Sequence, residues 1–269
     1  MPDGVDELYV CYGFEATAAQ KRHIIAMAPR VDDAAILHHL TLMEADSPVS
    51  ATPAICPLSG STTWRPVFGW APGGKAFELP KEAGFALDAT THFVVQMHYS
   101  NATHLKGPKD ASGFDLCTTD QLRPNDADVM AFGTTGIVLP PHKATALDCN
   151  IQVPWYGQTT HLFASFPHMH KLGTSISSVA HPAAGGNPVD LGSQAHWAFG
   201  EQGWIPIDYT LVANDVVETK CAWNNTTDGT VSYGEKTTDE MCFDFMMYWP
   251  KITAAQWSWA APVVYAQCK

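Results

Sequence analysis

The sequence predicts an all-β protein. Nineteen prolines and 20 glycines interrupt short runs rich in valine, isoleucine, threonine and aromatic residues, a pattern typical of many short strands joined by turns. No long stretch has the 3.6-residue apolar period of a helix. Hydrophobic residues make up 46% of the chain and charged residues 16%, which indicates a folded protein with a core rather than a disordered one.

Five segments have the clearest strand character. Each is apolar or alternates apolar with polar residues, and each is rich in β-branched or aromatic side chains. They are residues 35–43, 92–99, 161–166, 174–180 and 241–249.

A proline pair predicts a boundary between two domains. The 269 residues are enough for two domains of ordinary size. Pro140 and Pro141 follow an apolar run, and neither can donate a hydrogen bond to a sheet ladder. We therefore expect one domain over residues 1–140 and a second over residues 141–269.

The charge balance narrows the classes of partner. A net charge of −12 argues against binding to nucleic acid or to an anionic membrane surface, because both require clustered lysine and arginine. No segment approaches the roughly 20 apolar residues that cross a bilayer. A small-molecule partner is more compatible. Residues 1–10 lack a basic stretch followed by an apolar run, so an exported form would have lost its signal.

The cysteines indicate an oxidising compartment. Seven cysteines extend from Cys11 to Cys268, none in a CxxC pair, which favours disulfides over a zinc or thioredoxin-type centre. The tripeptides that begin at Asn101, Asn224 and Asn225 are compatible with glycosylation. We expect a glycoprotein that is secreted or lies in the lumen of the secretory pathway.

Five histidines occur in contexts that favour metal binding. His168 and His170 are two residues apart, so on a strand both imidazoles project to one face. His38 and His39 are adjacent and would face opposite sides of a regular strand. Joint binding by this pair requires a local distortion or the use of different ring nitrogens. His98 by itself indicates little.

The ligand types bear on the identity of the metal. Imidazole suits zinc, copper, nickel and iron, whereas a thioether selects soft ions and copper(I) above all. Met241, Met246 and Met247 lie in one apolar run. Each also fits the role of an ordinary core side chain, and the pattern alone does not choose among them. The sequence lacks the G-x-S-x-G, P-loop, G-x-G-x-x-G and H-E-x-x-H motifs of other enzyme classes.

In chain order, the motifs resemble those of the copper type II, ascorbate-dependent monooxygenases, the family of dopamine β-monooxygenase and peptidylglycine α-hydroxylating monooxygenase. The likeness extends over nearly the whole chain and includes His38-His39, Gln-Met-His98-Tyr, His168-Met-His170 and Asp-Glu-Met241-Cys. Residues 68–77 and 79–84 resemble the dopamine β-monooxygenase branch.

The resemblance implies two antiparallel jelly-roll-like β-sandwich domains, each with one copper. It implies hydroxylation of a C–H bond with O2 as co-substrate and ascorbate as reductant. The ligands would be His38, His39 and His98 for the electron-transfer copper, and the catalytic residues His168, His170 and Met241 for the copper that meets oxygen and substrate.

Further roles follow from the same resemblance. His161 would contact the metal ligands without binding the metal itself, and an ordinary buried histidine is the alternative at this position. The disulfides would be Cys11–Cys117, Cys149–Cys268 and Cys221–Cys242, which leaves Cys56 unpaired.

The substrate pocket departs from the peptide-amidating members. Those members hold a substrate carboxylate with Arg, Asn and Tyr at positions that are Phe166, Phe243 and Phe245 here. Aromatic rings cannot pair a carboxylate, and burying that charge beside them is costly. We expect a small apolar or aromatic substrate and no hydroxylation of C-terminal glycine. Asp244 would attract an amine if it faced the cavity.

Two alternatives belong to other classes. One is a secreted copper-binding protein without turnover that serves in storage, sensing or oxidation of its own side chains. The other is a structural β-sandwich binding module whose histidines bind no metal.

Overall fold

A computed structural model describes residues 1–56, 63–153, 159–252 and 266–269. These residues form β-strands joined by turns and loops and contain no helix, so the predicted all-β class is confirmed. In the described ranges, accordingly, no helix is long and apolar enough to cross a membrane.

The chain divides into two compact units, Met1–Asp126 and Ala127–Lys269. The boundary expected near residue 140 lies inside the second unit. There, Asn225 Nδ2 donates to the carbonyl oxygens of Leu139 and Pro140 at 2.9 and 3.1 Å. The proline pair ends a short strand, but the chain on both sides of it stays attached to the second unit. The assignment of one copper to each unit stays a prediction.

The described residues of the first unit form ten strands in two sheets. They are β1 (Glu7–Thr17), β2 (Arg22–Arg30), β3 (Leu37–Ala45), β4 (Ala54–Ile55), β5 (Trp64–Trp70), β6 (Phe77–Glu78), β7 (Ala83–Leu87), β8 (Thr90–Ser100), β9 (Gly113–Thr119) and β10 (Asn125–Asp126).

One sheet of this unit has the order β4-β1-β8-β3-β5. The other has the order β10-β7-β2-β6, with β9 also paired to β2. All pairs are antiparallel except β10 with β7. Phe68 on β5 packs against Phe114 on β9, with ring centroids 5.7 Å apart, so the two sheets meet through apolar side chains. The strands predicted over residues 35–43 and 92–99 correspond to β3 and β8.

In the second unit, the part of the chain that the structure describes forms eleven strands. They are β11 (Asp128–Gly133), β12 (Val138–Leu139), β13 (Lys143–Gln152), β14 (Thr160–His168), β15 (Gly173–His181), β16 (Val189–Asp190), β17 (Ile205–Leu211), β18 (Val216–Asn225), β19 (Val231–Ser232), β20 (Phe243–Trp249) and β21 (Gln267–Cys268).

Two antiparallel sheets form a sandwich in this unit. Their orders are β11-β20-β14-β17 and β16-β15-β18-β13-β21, and β12 pairs with β19 in a small separate ribbon. Leu162 and Met246 of the first sheet share a core with Ile151 and Val217 of the second. The remaining predicted strands correspond to β14, β15 and β20, although β20 begins only at Phe243, two residues after Met241.

The first unit corrects one predicted disulfide. Cys11 is bonded to Cys56, and the predicted Cys11–Cys117 bridge is wrong because Cys117 is free and exposed. Pairing of β1 with β4 brings Cys56 next to Cys11, whereas Cys117 lies on β9, which pairs with β2 in the other sheet. The second unit contains both bridges expected for it, Cys149–Cys268 and Cys221–Cys242.

The three candidate glycosylation asparagines differ in exposure. Asn101 and Asn225 are buried, and their side chains bond to the carbonyls of Leu105 and Gly229. Asn224 is exposed on β18. Only Asn224 of the three therefore presents its amide on the folded surface.

Candidate metal centres

The first candidate centre is built on two neighbouring strands, β3 and β8. His39 lies directly opposite His98, and the register shifts between Leu37 and His39, so that His38 is an extra residue in β3. An extra residue bends the strand and redirects its side chains. This bulge is the local distortion that joint binding by two adjacent histidines requires.

The three imidazoles of this centre converge. Nδ1 of His98 lies 2.9 Å from Nδ1 of His38 and 3.5 Å from Nδ1 of His39, and one ring nitrogen from each histidine lies within 4.8 Å of the others. Two facing ring nitrogens can share only one proton, whereas a cation satisfies all three lone pairs. A three-imidazole donor set suits copper, so these residues fit the expected metal.

The surroundings hold this cluster rigidly. His38 and His98 are buried, and the Tyr9 ring stacks on His98 at a centroid distance of 4.0 Å and an angle of 13°. Tyr9 stands opposite His98 in the pairing of β1 with β8. No sequence pattern indicates Tyr9, because only the strand register brings it to the histidine.

The second candidate centre lies where β14 ends. His168 is the last residue of the strand, His170 follows it, and their ring centroids are 5.3 Å apart at 86°. Both histidines are buried. Burial, together with the nearby charge of His170, lowers the pKa of His168 to about 3. The imidazole is therefore neutral, as metal binding requires.

Hydrogen bonds select the tautomer of both rings. Nδ1–H of His168 donates to Oε1 of buried Gln202 at 2.8 Å, and Gln202 is oriented by donating from Nε2 to the Phe199 carbonyl. Nδ1–H of His170 donates to the carbonyl oxygen of Asp239 at 3.0 Å. In each neutral ring the lone pair is then on Nε2. Such partners are typical of metal-binding histidines. No sequence pattern indicates Gln202, because this residue belongs to no recognised motif.

The backbone brings Met241 to the same region. Two residues before it, Asp239 accepts the hydrogen bond from His170. Two residues after it, Phe243 pairs with His168 across β20 and β14. Met241 therefore lies between the contacts to the two histidines, and a thioether at this position fits copper(I).

Aromatic rings cover the sheet face beside His168. Phe166 stands opposite Phe245 and His168 opposite Phe243, so the three predicted pocket residues share one face with the histidine. The ring centroids of Phe166 and Phe245 lie 6.1 and 6.3 Å from that of His168. Trp204, which the sequence analysis did not single out, packs on Phe166 at 5.2 Å.

Two predicted residues lie away from this face. His161 is at the far end of β14, roughly 20 Å from His168 by strand rise, where its ring packs against that of Trp249 at a tilt of 32° and faces Asp208. The structure does not bring it to the ligands. Asp244 points into the sandwich, where Ser165 Oγ donates to it at 2.7 Å, because successive strand residues face opposite sides. The condition under which Asp244 would attract an amine is therefore not met.

Fold and centres together define an all-β protein with two differently built histidine sites. Residues 1–106 match the N-terminal domain of copper type II ascorbate-dependent monooxygenases, and residues 125–266 match the C-terminal domain. The chain belongs to this family, which is defined by copper and ascorbate, and the predicted resemblance is confirmed.

The curated relatives are hydroxylases and monooxygenases. Rat dopamine beta-hydroxylase is 29% identical over 269 residues, which cover 90% of this chain and 43% of that protein. Tyramine beta-hydroxylase of Caenorhabditis briggsae is 25% identical, with 87% and 43% covered. Human DBH-like monooxygenase protein 1 is 25% identical, with 92% and 45% covered. The chain thus spans less than half the length of these relatives.

Proposed function

We propose that this protein hydroxylates a C–H bond of a small apolar or aromatic substrate with O2, copper and ascorbate. One atom of O2 enters the product as a hydroxyl group. The other leaves as water, with two electrons and two protons supplied through ascorbate. The observation that carries the proposal is the presence, in one chain of this family, of a three-imidazole cluster and a separate His-x-His centre.

The three-imidazole cluster suits electron transfer. His38, His39 and His98 would hold one copper through Nδ1. The rings of His38 and His98 are buried and that of His39 is partly buried. Neighbouring strands of one sheet place all three, and Tyr9 covers His98. A centre held in this way keeps its geometry when the charge of the metal changes, which favours the passage of single electrons.

The His-x-His centre suits oxygen and substrate. His168 and His170 would bind the second copper through Nε2, with Met241 as a weak third ligand. Three protein ligands leave a coordination position for O2, and the bound metal would supply the oxygen chemistry. The protein's own contribution is to fix the two rings and to exclude water with the aromatic face around Phe166.

The aromatic face also limits the substrate class. Phe166, Phe243 and Phe245 offer apolar surface and no cation, so a substrate carboxylate would be desolvated without a partner. An aromatic or aliphatic group gains by burial there. The relatives named for dopamine and tyramine support an aromatic substrate.

The disulfides support a location in the secretory pathway. Three bridges are formed, two in the second unit and one in the first. Such bonds persist in oxidising compartments and are rare in the cytosol.

Oxygen uptake with ascorbate and a panel of small aromatic and aliphatic compounds tests this function. We expect uptake coupled to product in the wild type and its loss in M241I. M246I is the matched control, because Met246 belongs to the sandwich core, and it should retain uptake. Copper bound without turnover would instead support a storage or sensing role. Less than about one copper per chain after reconstitution would support a structural module.

A further inference from the structure

Glu240 is a fully buried carboxylate with four hydrogen-bond donors. Its Oε1 accepts from the Leu172 N–H at 2.6 Å. Its Oε2 accepts from the His170 N–H at 3.0 Å, from Trp223 Nε1–H at 2.9 Å and from the Met241 N–H at 3.3 Å. Burying a carboxylate is costly unless it is fully hydrogen-bonded, so this arrangement needs a reason beyond packing.

The donors come from both parts of the second candidate centre. His170 and Leu172 belong to the turn that follows β14, whereas Met241 precedes β20, about seventy residues later in the chain. No ladder bond between β14 and β20 reaches these residues, because the pairing ends at His168 and Phe243. The Glu240 side chain bonds to both segments at the point where the sheet no longer holds them together.

We propose that Glu240 is a positioning residue that fixes Met241 relative to His170, so that the thioether and the imidazole meet one copper ion. The proposal rests on the copper function proposed above. Asp239, Glu240 and Met241 then act in sequence: a carbonyl orients the His170 ring, a carboxylate fixes the His170 backbone, and a thioether completes the ligand set.

Neighbouring contacts make this position rigid. Trp197 Nε1–H donates to the His170 carbonyl at 3.0 Å, and the Asn224 N–H donates to the Leu172 carbonyl at 2.9 Å. The Cys221–Cys242 bridge ties the residue after Met241 to β18. The turn carrying His170 is thus held on both sides, and Glu240 is the one side chain in these contacts that also bonds to Met241.

Copper(I) titration and X-ray absorption test the proposal on E240A and E240Q. The wild type should show a copper–sulfur contribution from Met241. In E240A we expect that contribution to be lost and copper(I) affinity at this centre to fall by about 10- to 100-fold, the usual cost of losing a contact that orients a ligand. E240Q keeps one acceptor oxygen and should recover part of the affinity.

Two controls separate positioning from general stability. Asp215 is also a buried carboxylate of the second unit, and it accepts from Ala183, Tyr209 and Val212. D215N should lower the thermal stability without changing the copper–sulfur signal. The cluster of His38, His39 and His98 is an internal control that should bind copper unchanged in every variant.

Each outcome decides between the alternatives. Absence of copper–sulfur ligation in the wild type would overturn the proposed ligand set and this inference with it. Its presence in the wild type and its retention with unchanged affinity in E240A would overturn the inference alone. If E240A does not fold, the test is carried by E240Q, which keeps the side-chain volume, and by W223F, which removes one hydrogen-bond donor to the carboxylate. If E240Q and W223F both keep the wild-type copper(I) affinity and copper–sulfur signal, the inference about Glu240 is also overturned.

Discussion

The two candidate centres place their histidines by different means. In the first unit, His38, His39 and His98 come from adjacent strands of a five-stranded sheet, and register plus one bulge brings them together. In the second unit, His168 is at a strand end and His170 lies beyond it. There Gln202, Glu240 and the Asp239 carbonyl fix the ligands by hydrogen bonds. Backbone pairing places the histidines of the first centre, whereas hydrogen bonds to groups remote in sequence fix those of the second.

This difference matches the division of labour that we propose. A centre fixed by sheet pairing resists changes in geometry, which suits electron transfer. A centre at a strand end leaves room beside the ligands, and here that room is lined by aromatic rings. The second centre should therefore be more sensitive to changes in residues that do not touch the metal.

The largest effect is expected for H98A. This change removes the nitrogen that contacts both other imidazoles, so copper content should fall by about one ion per chain. Oxygen uptake should fall by more than the roughly 100-fold that loss of a supporting contact costs. The control is H92A, because His92 lies on the same strand and pairs with Glu15. Full copper content in H98A would show that the cluster is not a metal site.

The next effect concerns stability and pH in the second unit. Burial raises the pKa of Asp244 to about 7, although the Ser165 hydrogen bond opposes the shift. As pH rises from about 4 to about 7, the Asp244 carboxyl ionises in the unfolded chain but stays protonated in the folded protein. Rising pH therefore favours unfolding over this window. The free energy of unfolding should fall over this window by up to about 4 kcal/mol. D244N should lack this fall in denaturant titrations.

Asp126 in the first unit provides the contrasting case. Burial opposes ionisation, but hydrogen bonds from Lys21 and His23 outweigh it and lower the Asp126 pKa. Its stabilising effect is present above the unfolded-state pKa and is lost as pH falls below it. D126N should therefore lower the free energy of unfolding at neutral pH but not in acid.

For Asp244, the same dependence of the free energy of unfolding on pH in D244N and in the wild type would contradict the effect assigned to burial.

A smaller effect is expected for Q202L. Leucine removes the acceptor of the His168 Nδ1–H, so copper(I) affinity of the second centre should fall by about 10- to 100-fold. Competition with a copper(I) chelator measures this change. Q152L is the control, because Gln152 is exposed in the same unit and bonds only weakly to Asn214 at 3.3 Å. Unchanged copper(I) affinity in Q202L would contradict the idea that the second centre depends more on residues that do not touch the metal.

The smallest effect is expected for C117S. Thiol labelling should find Cys117 reactive in the folded wild type and no reactive thiol in C117S, with unchanged thermal stability. C56S should instead release Cys11 as an additional thiol, because these two cysteines are bonded. Labelling at Cys56 in the wild type would restore the pairing expected from the sequence.

Much of the fold could be predicted from local pattern. The strand predicted over residues 174–180 buries alternate residues, Ile176, Ser178 and Ala180, and such a period-2 pattern indicates a strand and its inward face. The strand ends were less predictable. Met241 appeared to belong to the strand that begins at Phe243, because apolar residues continue across the true end.

The sequence by itself determined the all-β class, the family and the histidines that form the two centres, because strand period and motif order are local properties. Only the tertiary structure decided that Cys11 pairs with Cys56 and that Asp244 faces the core. It also decided that His161 lies away from the candidate ligands and that Gln202 and Glu240 accept hydrogen bonds from His168 and His170. These facts depend on which strands become neighbours. The free energy that selects this pairing comes from contacts throughout the core and not from any one motif.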